Sequence, residues 1–96
     1  MIESFGDKAT EDLFHGRKTK RTRDFPADLL RAALRKLDMI NAAHRIEDLK
    51  VPPANRREAL KGELAGFHSI RINDQFGIVF RWSEGNASKV GIVDYH

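Results

Sequence analysis

The spacing of the apolar residues changes near position 60, from a three- and four-residue repeat to a two-residue repeat. The first repeat predicts a helix that begins at Pro26. Its apolar stripe comprises Leu29, Leu30, Ala33, Leu34, Leu37, Ile40 and Ala43. The second repeat predicts strands at 67–72, 76–82 and 89–96, separated by short turns. Helices followed by such hairpins predict an α+β domain, in which N-terminal helices pack on a small antiparallel sheet.

Shorter elements are predicted in the N-terminal half. Residues 1–5 form a short strand or an anchored terminus, and Thr10 caps a helix over 11–15 that ends at Gly16. A further helical turn at 46–49 ends before a pair of prolines, because a residue that precedes proline is disfavoured in a helix.

Length and composition limit the class of protein. A chain of 96 residues is the size of one domain, so we expect a single domain over 1–96. Cysteine is absent, which excludes a disulfide framework and any cysteine-based zinc site. No apolar run approaches the ~20 residues of a membrane span, and the acidic N-terminus does not resemble a signal peptide. We therefore expect a cytoplasmic protein without a membrane partner.

Positive charge is concentrated in the middle of the chain. The net charge is only +3, but residues 16–61 contain thirteen Lys and Arg against six Asp and Glu. This asymmetry favours a surface that faces a polyanion. Five bases lie between positions 17 and 23 without an apolar neighbour: Arg17, Lys18, Lys20, Arg21 and Arg23. We expect a solvated loop there, which either contacts phosphates or is a connection only.

Several kinds of site lack the residues they require. The histidines at 15, 44, 68 and 96 show no metal-ligand spacing, so we expect no metal and no other cofactor. The sequence contains no glycine-rich phosphate loop, no Gly-x-Ser-x-Gly motif and no cysteine nucleophile.

The last three residues, Asp94, Tyr95 and His96, all carry side chains that handle protons. Strand alternation predicts that Asp94 and His96 share one face, with Tyr95 on the other. Together with Lys61 at another strand edge, they predict a cationic acid–base cluster.

The motifs of the C-terminal half carry a resemblance. Leu60-Lys61-Gly62, the segment 66–76 (Gly-Phe-His-Ser-Ile-Arg-Ile-Asn-Asp-Gln-Phe) and the terminal Val-Asp-Tyr-His are similar to the HigB-type toxins of the RelE superfamily. The initial Met-Ile-x-Ser-Phe and residues 52–60 match as well. The resemblance implies the compact microbial-RNase fold. It also implies a toxin of a type II toxin–antitoxin system: a ribosome-dependent endoribonuclease that cleaves mRNA and is neutralised by a HigA-type antitoxin.

The resemblance also implies roles for individual residues. The 2′-hydroxyl of the RNA attacks the adjacent phosphate, so the protein supplies a base, an acid and positive charge without needing a metal. Lys61 would neutralise the phosphate, Asp94 and His96 would handle protons, and Tyr95 would position or stack on a base. Glu58 stands where related toxins have a histidine and is a candidate proton acceptor.

One position departs from the family pattern. The arginine expected two residues after Gln75 is replaced by Gly77. Either Arg71 or Arg81 would then hold the phosphate, and strand parity favours Arg81. Otherwise activity is reduced, or the chain is an inactive module of the toxin fold that binds antitoxin, ribosome or RNA. A basic nucleic-acid-binding domain unrelated to toxins is a third alternative. Residues expected to contact RNA are the five bases of 17–23 with Arg56, Arg57, Arg71 and Arg81.

Overall fold

A computed structural model describes residues 1–95 of the chain. The helices are α1 (Lys8–Phe14), α2 (Lys20–Arg23) and α3 (Ala27–Ala42), followed by short 3-10 turns at Ile46–Lys50, Pro53–Asn55 and Gly62–Leu64. The strands are β1 (Glu58–Ala59), β2 (Phe67–Arg71), β3 (Phe76–Ser83) and β4 (Asn86–Asp94). None of the helices in residues 1–95 combines the length and apolar character that a membrane crossing requires.

The strands form one antiparallel sheet in the order β1-β2-β3-β4, and the helices cover one of its faces. Leu37 and Ile40 of α3 are fully buried against Ile70, Ile78 and Phe80 of the sheet. Alternation along β2 and β3 therefore sends every second side chain into this core and leaves the others on the opposite face. The predicted α+β fold with N-terminal helices on a small antiparallel sheet is confirmed.

The apolar stripe of α3 also lies where its spacing predicts. Leu29, Ala33, Leu37 and Ile40 are buried, four residues apart or three, on the side that faces the sheet. The helix begins at Ala27, one residue later than predicted, and Pro26 is its N-cap.

The first helix is capped by Asp7, and the prediction of Thr10 as its cap is wrong. Asp7 is extended, and its carboxylate accepts a hydrogen bond from the Thr10 backbone N–H at 2.7 Å, so the helix begins almost a turn earlier. Thr10 is fully buried. Its hydroxyl donates to Asp7 at 3.0 Å and accepts from the Ile92 N–H at 3.0 Å, which ties α1 to β4.

The basic segment 17–23 is not the purely solvated loop that its composition predicts. It contains α2, and it folds around Asp12, which is only 4% exposed. Asp12 accepts a hydrogen bond from the Thr19 hydroxyl at 3.0 Å and forms ion pairs with Arg17 and Arg21. Burial raises the pKa of Asp12, but the Thr19 hydrogen bond and the two arginines outweigh it and lower that pKa. Charge counting missed a buried carboxylate that lies outside the segment.

The N-terminus and two strands refine the remaining predictions. Ile2 and Phe5 form parallel bridges with Ala87 and Val90, so the chain start is anchored along the outer edge of β4. The fourth strand begins at Asn86, three residues earlier than predicted. The two-residue strand β1 was not predicted, because two residues cannot show a period.

Candidate active site

A cavity of about 310 Å³ lies on the sheet face that the helices leave open. Its lining comprises Arg56, Glu58, Leu60, Ser69, Arg71, Asp74 and Tyr95. The register explains this grouping, since Glu58 pairs with Ser69 across β1 and β2, and Arg71 lies two residues further along β2 on the same face. Residues from three separate segments therefore converge on one surface.

Buried Asn55 holds the segment that carries Arg56 and Glu58. Its side-chain amide donates to the carbonyls of Leu49 at 3.1 Å and Val51 at 3.4 Å, and its oxygen accepts a hydrogen bond from the Lys36 ammonium. Arg56 follows with a left-handed φ of 45°, which turns the chain from the 3-10 turn into β1. Burial, with a smaller contribution from the charge of Arg35, lowers the pKa of Lys36.

Arg71 is held at the β2–β3 turn by two neighbours. Its Nε donates to the carbonyl of Asn73 at 3.0 Å, and its Nη2 donates to the carboxylate of Asp74 in an ion pair. The Arg71 side chain is 27% exposed, whereas that of Asp74 is 98% exposed. Asp74 is a cavity residue that the sequence analysis missed; its position three residues after Arg71, across a turn, was the available signal.

Gly77 is the cross-strand partner of Arg71 and lies beneath the ring of Tyr95. The backbone N–H of Tyr95 donates to the carbonyl of Gln75 at 2.8 Å, which continues the ladder past the end of β4. A Cβ built on Gly77 would be 2.9 Å from Cε2 of Tyr95 and closer still to its hydroxyl. The absence of a side chain at 77 is therefore what allows Tyr95, itself half-exposed, to lie across the strand.

Of the predicted catalytic residues that the structure describes, Lys61 and Asp94 do not line this cavity. Asp94 pairs with Phe76 in the register, on the face opposite to Tyr95, and accepts a hydrogen bond from Gln75 Nε2 at 3.1 Å. Lys61 is exposed and precedes the 3-10 turn at Gly62–Leu64. His96 lies outside the described residues. Of the predicted catalytic group, Glu58 and Tyr95 thus meet in the cavity, and Lys61 and Asp94 do not join them.

Arg81 is directed elsewhere, although it shares the face of Gly77. Its guanidinium lies over the ring of Phe67 at 5.3 Å from the centroid, near the opposite end of β3. Arg71, and not Arg81, is therefore the arginine that adjoins Gly77; the preference for Arg81 as the arginine that holds the phosphate stays a prediction. Parity along one strand identifies a face, but the cross-strand register decides which arginine adjoins residue 77.

Arg57 lies on the helix-facing side of the sheet with His68. Its Nη1 is 3.3 Å from Nδ1 of His68, whose ring stacks on Phe80. Burial, followed by the charge of Arg57, lowers the pKa of His68. The buried Nε of Arg57 has no hydrogen-bond partner among residues 1–95.

The remaining bases of the 17–23 segment differ from Arg17 and Arg21. Lys18, Lys20 and Arg23 are exposed and form no ion pair within the described part of the chain. These three cations are therefore available to an external polyanion.

The cavity offers two carboxylates, two guanidinium groups and a phenol at one surface. This set can accept a proton, stabilise a developing negative charge and contact a planar base. Across residues 1–95, no group of three or more His, Cys, Asp or Glu side chains is arranged to hold a metal ion.

Sequence comparison identifies relatives over most of the chain. Residues 3–96 match a family described as the RelE-like toxin of type II toxin–antitoxin system HigB. Toxin HigB-1 of Vibrio cholerae is 40% identical over 87 residues, which cover 91% of this chain and 90% of the relative.

Solved structures share the fold. In the YoeB–YefM complex from Staphylococcus aureus, a chain matches with a TM-score of 0.62 at 14% identity, covering 100% of this chain and 98% of the other. YafQ from Escherichia coli matches with a TM-score of 0.54 at 15% identity, covering 95% and 90%. At these identities the likeness concerns the fold alone.

Proposed function

The chain belongs to the HigB family of RelE-like toxins of type II toxin–antitoxin systems, and we propose that it is a ribosome-dependent endoribonuclease that cleaves mRNA in the cytoplasm. The observation that carries this proposal is the convergence of Glu58, Arg56, Arg71 and Tyr95 on one open cavity. These side chains supply a base and positive charge, two of the requirements of RNA cleavage by an internal nucleophile, together with an aromatic surface for a base.

In this mechanism, the 2′-hydroxyl of the RNA attacks the neighbouring phosphorus and the bond to the 5′ oxygen breaks. Glu58 accepts the proton of the 2′-hydroxyl, while Arg56 and Arg71 stabilise the charge that develops on the phosphate oxygens. Tyr95 stacks on a base beside the scissile bond. The products are a 2′,3′-cyclic phosphate and a free 5′-hydroxyl, and the RNA itself provides the nucleophile.

The leaving 5′ oxygen requires a proton. Asp94 and His96 are the donors that the family resemblance suggests. Both stay candidates for this role; Asp94 accepts a hydrogen bond from Gln75 on the face away from Tyr95. Lys61 directly follows Leu60, which lines the cavity, but Lys61 itself does not line it. We therefore assign Lys61 to a phosphate of the RNA next to the cavity.

Arg71 takes the role of the arginine that is absent at 77. It is the cross-strand partner of Gly77, lines the cavity and keeps donors in excess of its two described hydrogen bonds. One observation favours the alternative, an inactive toxin-fold module that binds antitoxin, ribosome or RNA. Tyr95 fills the space where an arginine side chain at 77 would lie.

The family implies an antitoxin partner, and we propose that it is of the HigA type. We assign Lys18, Lys20 and Arg23 to ribosomal RNA, because exposed bases without interleaved aromatic residues suit backbone phosphates.

Ribosomes programmed with a defined mRNA test the nuclease proposal. We expect the purified protein to cleave the mRNA and leave 2′,3′-cyclic phosphate ends. Cleavage should be undiminished when all metal ions except those that the ribosome requires are removed by chelation. Glu58→Gln, which keeps the size of the side chain, should reduce cleavage about 100-fold or more. Unimpaired growth on induction, with no cleavage of translated mRNA, would favour the inactive module.

A further inference from the structure

We propose that Asp74 is a counter-ion of the phosphate site. In the free protein its carboxylate forms an ion pair with the Arg71 guanidinium, and an RNA phosphate displaces it on binding. Asp74 then sets how tightly the cavity binds RNA. This inference rests on the proposed function, because it takes the cavity as the site of RNA binding.

The charges of the cavity support this role. Its ionisable cations and carboxylates are present in equal number: Arg56, Glu58, Arg71 and Asp74. A site for an anionic phosphate diester is favoured by a net positive potential, so each of the two carboxylates opposes binding. Glu58 is the proposed proton acceptor, and Asp74 is the carboxylate bound to Arg71.

The anchoring of Arg71 does not depend on Asp74 alone. Its Nε donates to the carbonyl of Asn73, a hydrogen bond in which the Asp74 side chain takes no part. A guanidinium has five N–H donors, so two described bonds leave three for an incoming ligand.

The Asp74 side chain is free to leave. It is 98% exposed, and the turn that carries it is held by Asn73, whose side-chain oxygen accepts from the N–H groups of Gln75 and Phe76 at 2.9 and 2.8 Å. Exposed ion pairs are weak, so an RNA phosphate can replace this carboxylate at small cost. For the same reasons, we expect substitution of Asp74 to leave the fold intact.

The affinity of Asp74→Asn for a short 2′-O-methyl RNA oligonucleotide tests the inference, since this RNA lacks the nucleophilic hydroxyl. We expect the variant to bind about two- to fivefold more tightly than wild type at roughly 50 mM salt. The gain should vanish near roughly 500 mM salt, where charges are screened over a few ångströms. Glu84→Gln removes the same charge at the far β3–β4 turn and is the matched control.

A double-mutant cycle separates a counter-ion from a merely structural residue. In an Arg71→Gln background, Asp74→Asn should change RNA affinity by less than about 1.5-fold, because the partner guanidinium is gone. A tightening that persists in this background would overturn the inference.

Three other results would also overturn it. The first is equal affinity of wild type and Asp74→Asn, which includes the case in which neither binds. The second is weaker binding by Asp74→Asn, and the third is an equal gain from Glu84→Gln. Cleavage of ribosome-bound mRNA is measured separately. Tighter binding by Asp74→Asn with no cleavage by either protein would support the counter-ion and reject the nuclease.

Discussion

The ring of Tyr95 lies against the backbone of Gly77, in the space that a side chain at 77 would occupy. Gly77 therefore provides the space in which the Tyr95 ring packs, and it also replaces an expected arginine. This changes the expectation for Gly77→Arg, which from sequence alone should restore toxicity and add strand stability if no other arginine fills the role. Any side chain at 77 must first displace Tyr95.

Gly77→Ala tests this packing with the smallest side chain. If Tyr95 stacks on an RNA base, its displacement should lower cleavage about five- to 100-fold, the range expected for loss of one base–aromatic stack. The melting temperature should change little, because Tyr95 is half-exposed near the chain end. In a Tyr95→Ala background the same substitution should have no further effect on cleavage. An equal loss of cleavage in both backgrounds would contradict the packing of Tyr95 on Gly77.

Asn55→Ala should destabilise the fold. Asn55 is fully buried, and its removal leaves the carbonyls of Leu49 and Val51 and the Lys36 ammonium without their partner. We expect the free energy of unfolding to fall by about 2–4 kcal/mol, measured by urea denaturation. Asn41→Ala, which removes an exposed hydrogen bond to the Ile2 N–H, should cost less than about 1 kcal/mol. Equal losses of unfolding free energy in the two variants would show that the buried Asn55 amide does not stabilise this segment more than an exposed hydrogen bond does.

His68 should make stability depend on pH. Its pKa is held below the ordinary 6.5 by burial and by Arg57, so the folded state favours the neutral ring. Its contribution to stability is present above 6.5 and is lost as the pH falls below that value through the folded pKa. Between about pH 7.5 and pH 5.5, wild type should therefore lose more unfolding free energy than His68→Gln. The same pH dependence in both proteins would contradict a neutral His68.

The three bases that Asp12 does not engage should guide ribosome association. Replacing Lys18, Lys20 and Arg23 with Gln should weaken ribosome binding at low salt and reduce the slope of log affinity against log salt by up to ~2–3. Lys8, Lys50 and Lys89 replaced together provide a control with the same net charge. Equal weakening by both triple variants would indicate an effect of total charge, and unaltered binding would leave the segment as a connection only.

The sequence was sufficient for features that repeat. The spacing of Leu37 and Ile40 predicted the buried face of α3, and alternation at Ile70 and Ile78 predicted the hairpins, because burial imposes a period on each element. Contacts between distant segments have no such period. The engagement of the 17–23 segment by Asp12 depends on the path of the chain between them, and a two-residue strand is too short to leave a pattern.

The site shows the same division between local and long-range information. The resemblance named Glu58 and Tyr95, and both line the cavity. It also grouped Lys61 and Asp94 with them, but neither lines the cavity. Sequence parity does not fix how the end of one strand aligns with the next strand. The pairing of Arg71 with Gly77 is likewise a matter of hairpin register, which the spacing within one strand cannot supply.

The central claim, that Arg71 binds the scissile phosphate in place of an arginine at 77, is tested most directly by comparing Arg71→Gln with Arg81→Gln. Both variants remove one guanidinium from the same sheet face, and cleavage of ribosome-bound mRNA is the measurement. Loss of a preorganised charge at the transition state predicts a rate reduced about 100- to 1000-fold for Arg71→Gln. Arg81→Gln should remain at least about tenfold more active than that variant. Cleavage by Arg71→Gln at the wild-type rate, or a larger loss in Arg81→Gln, would contradict the claim.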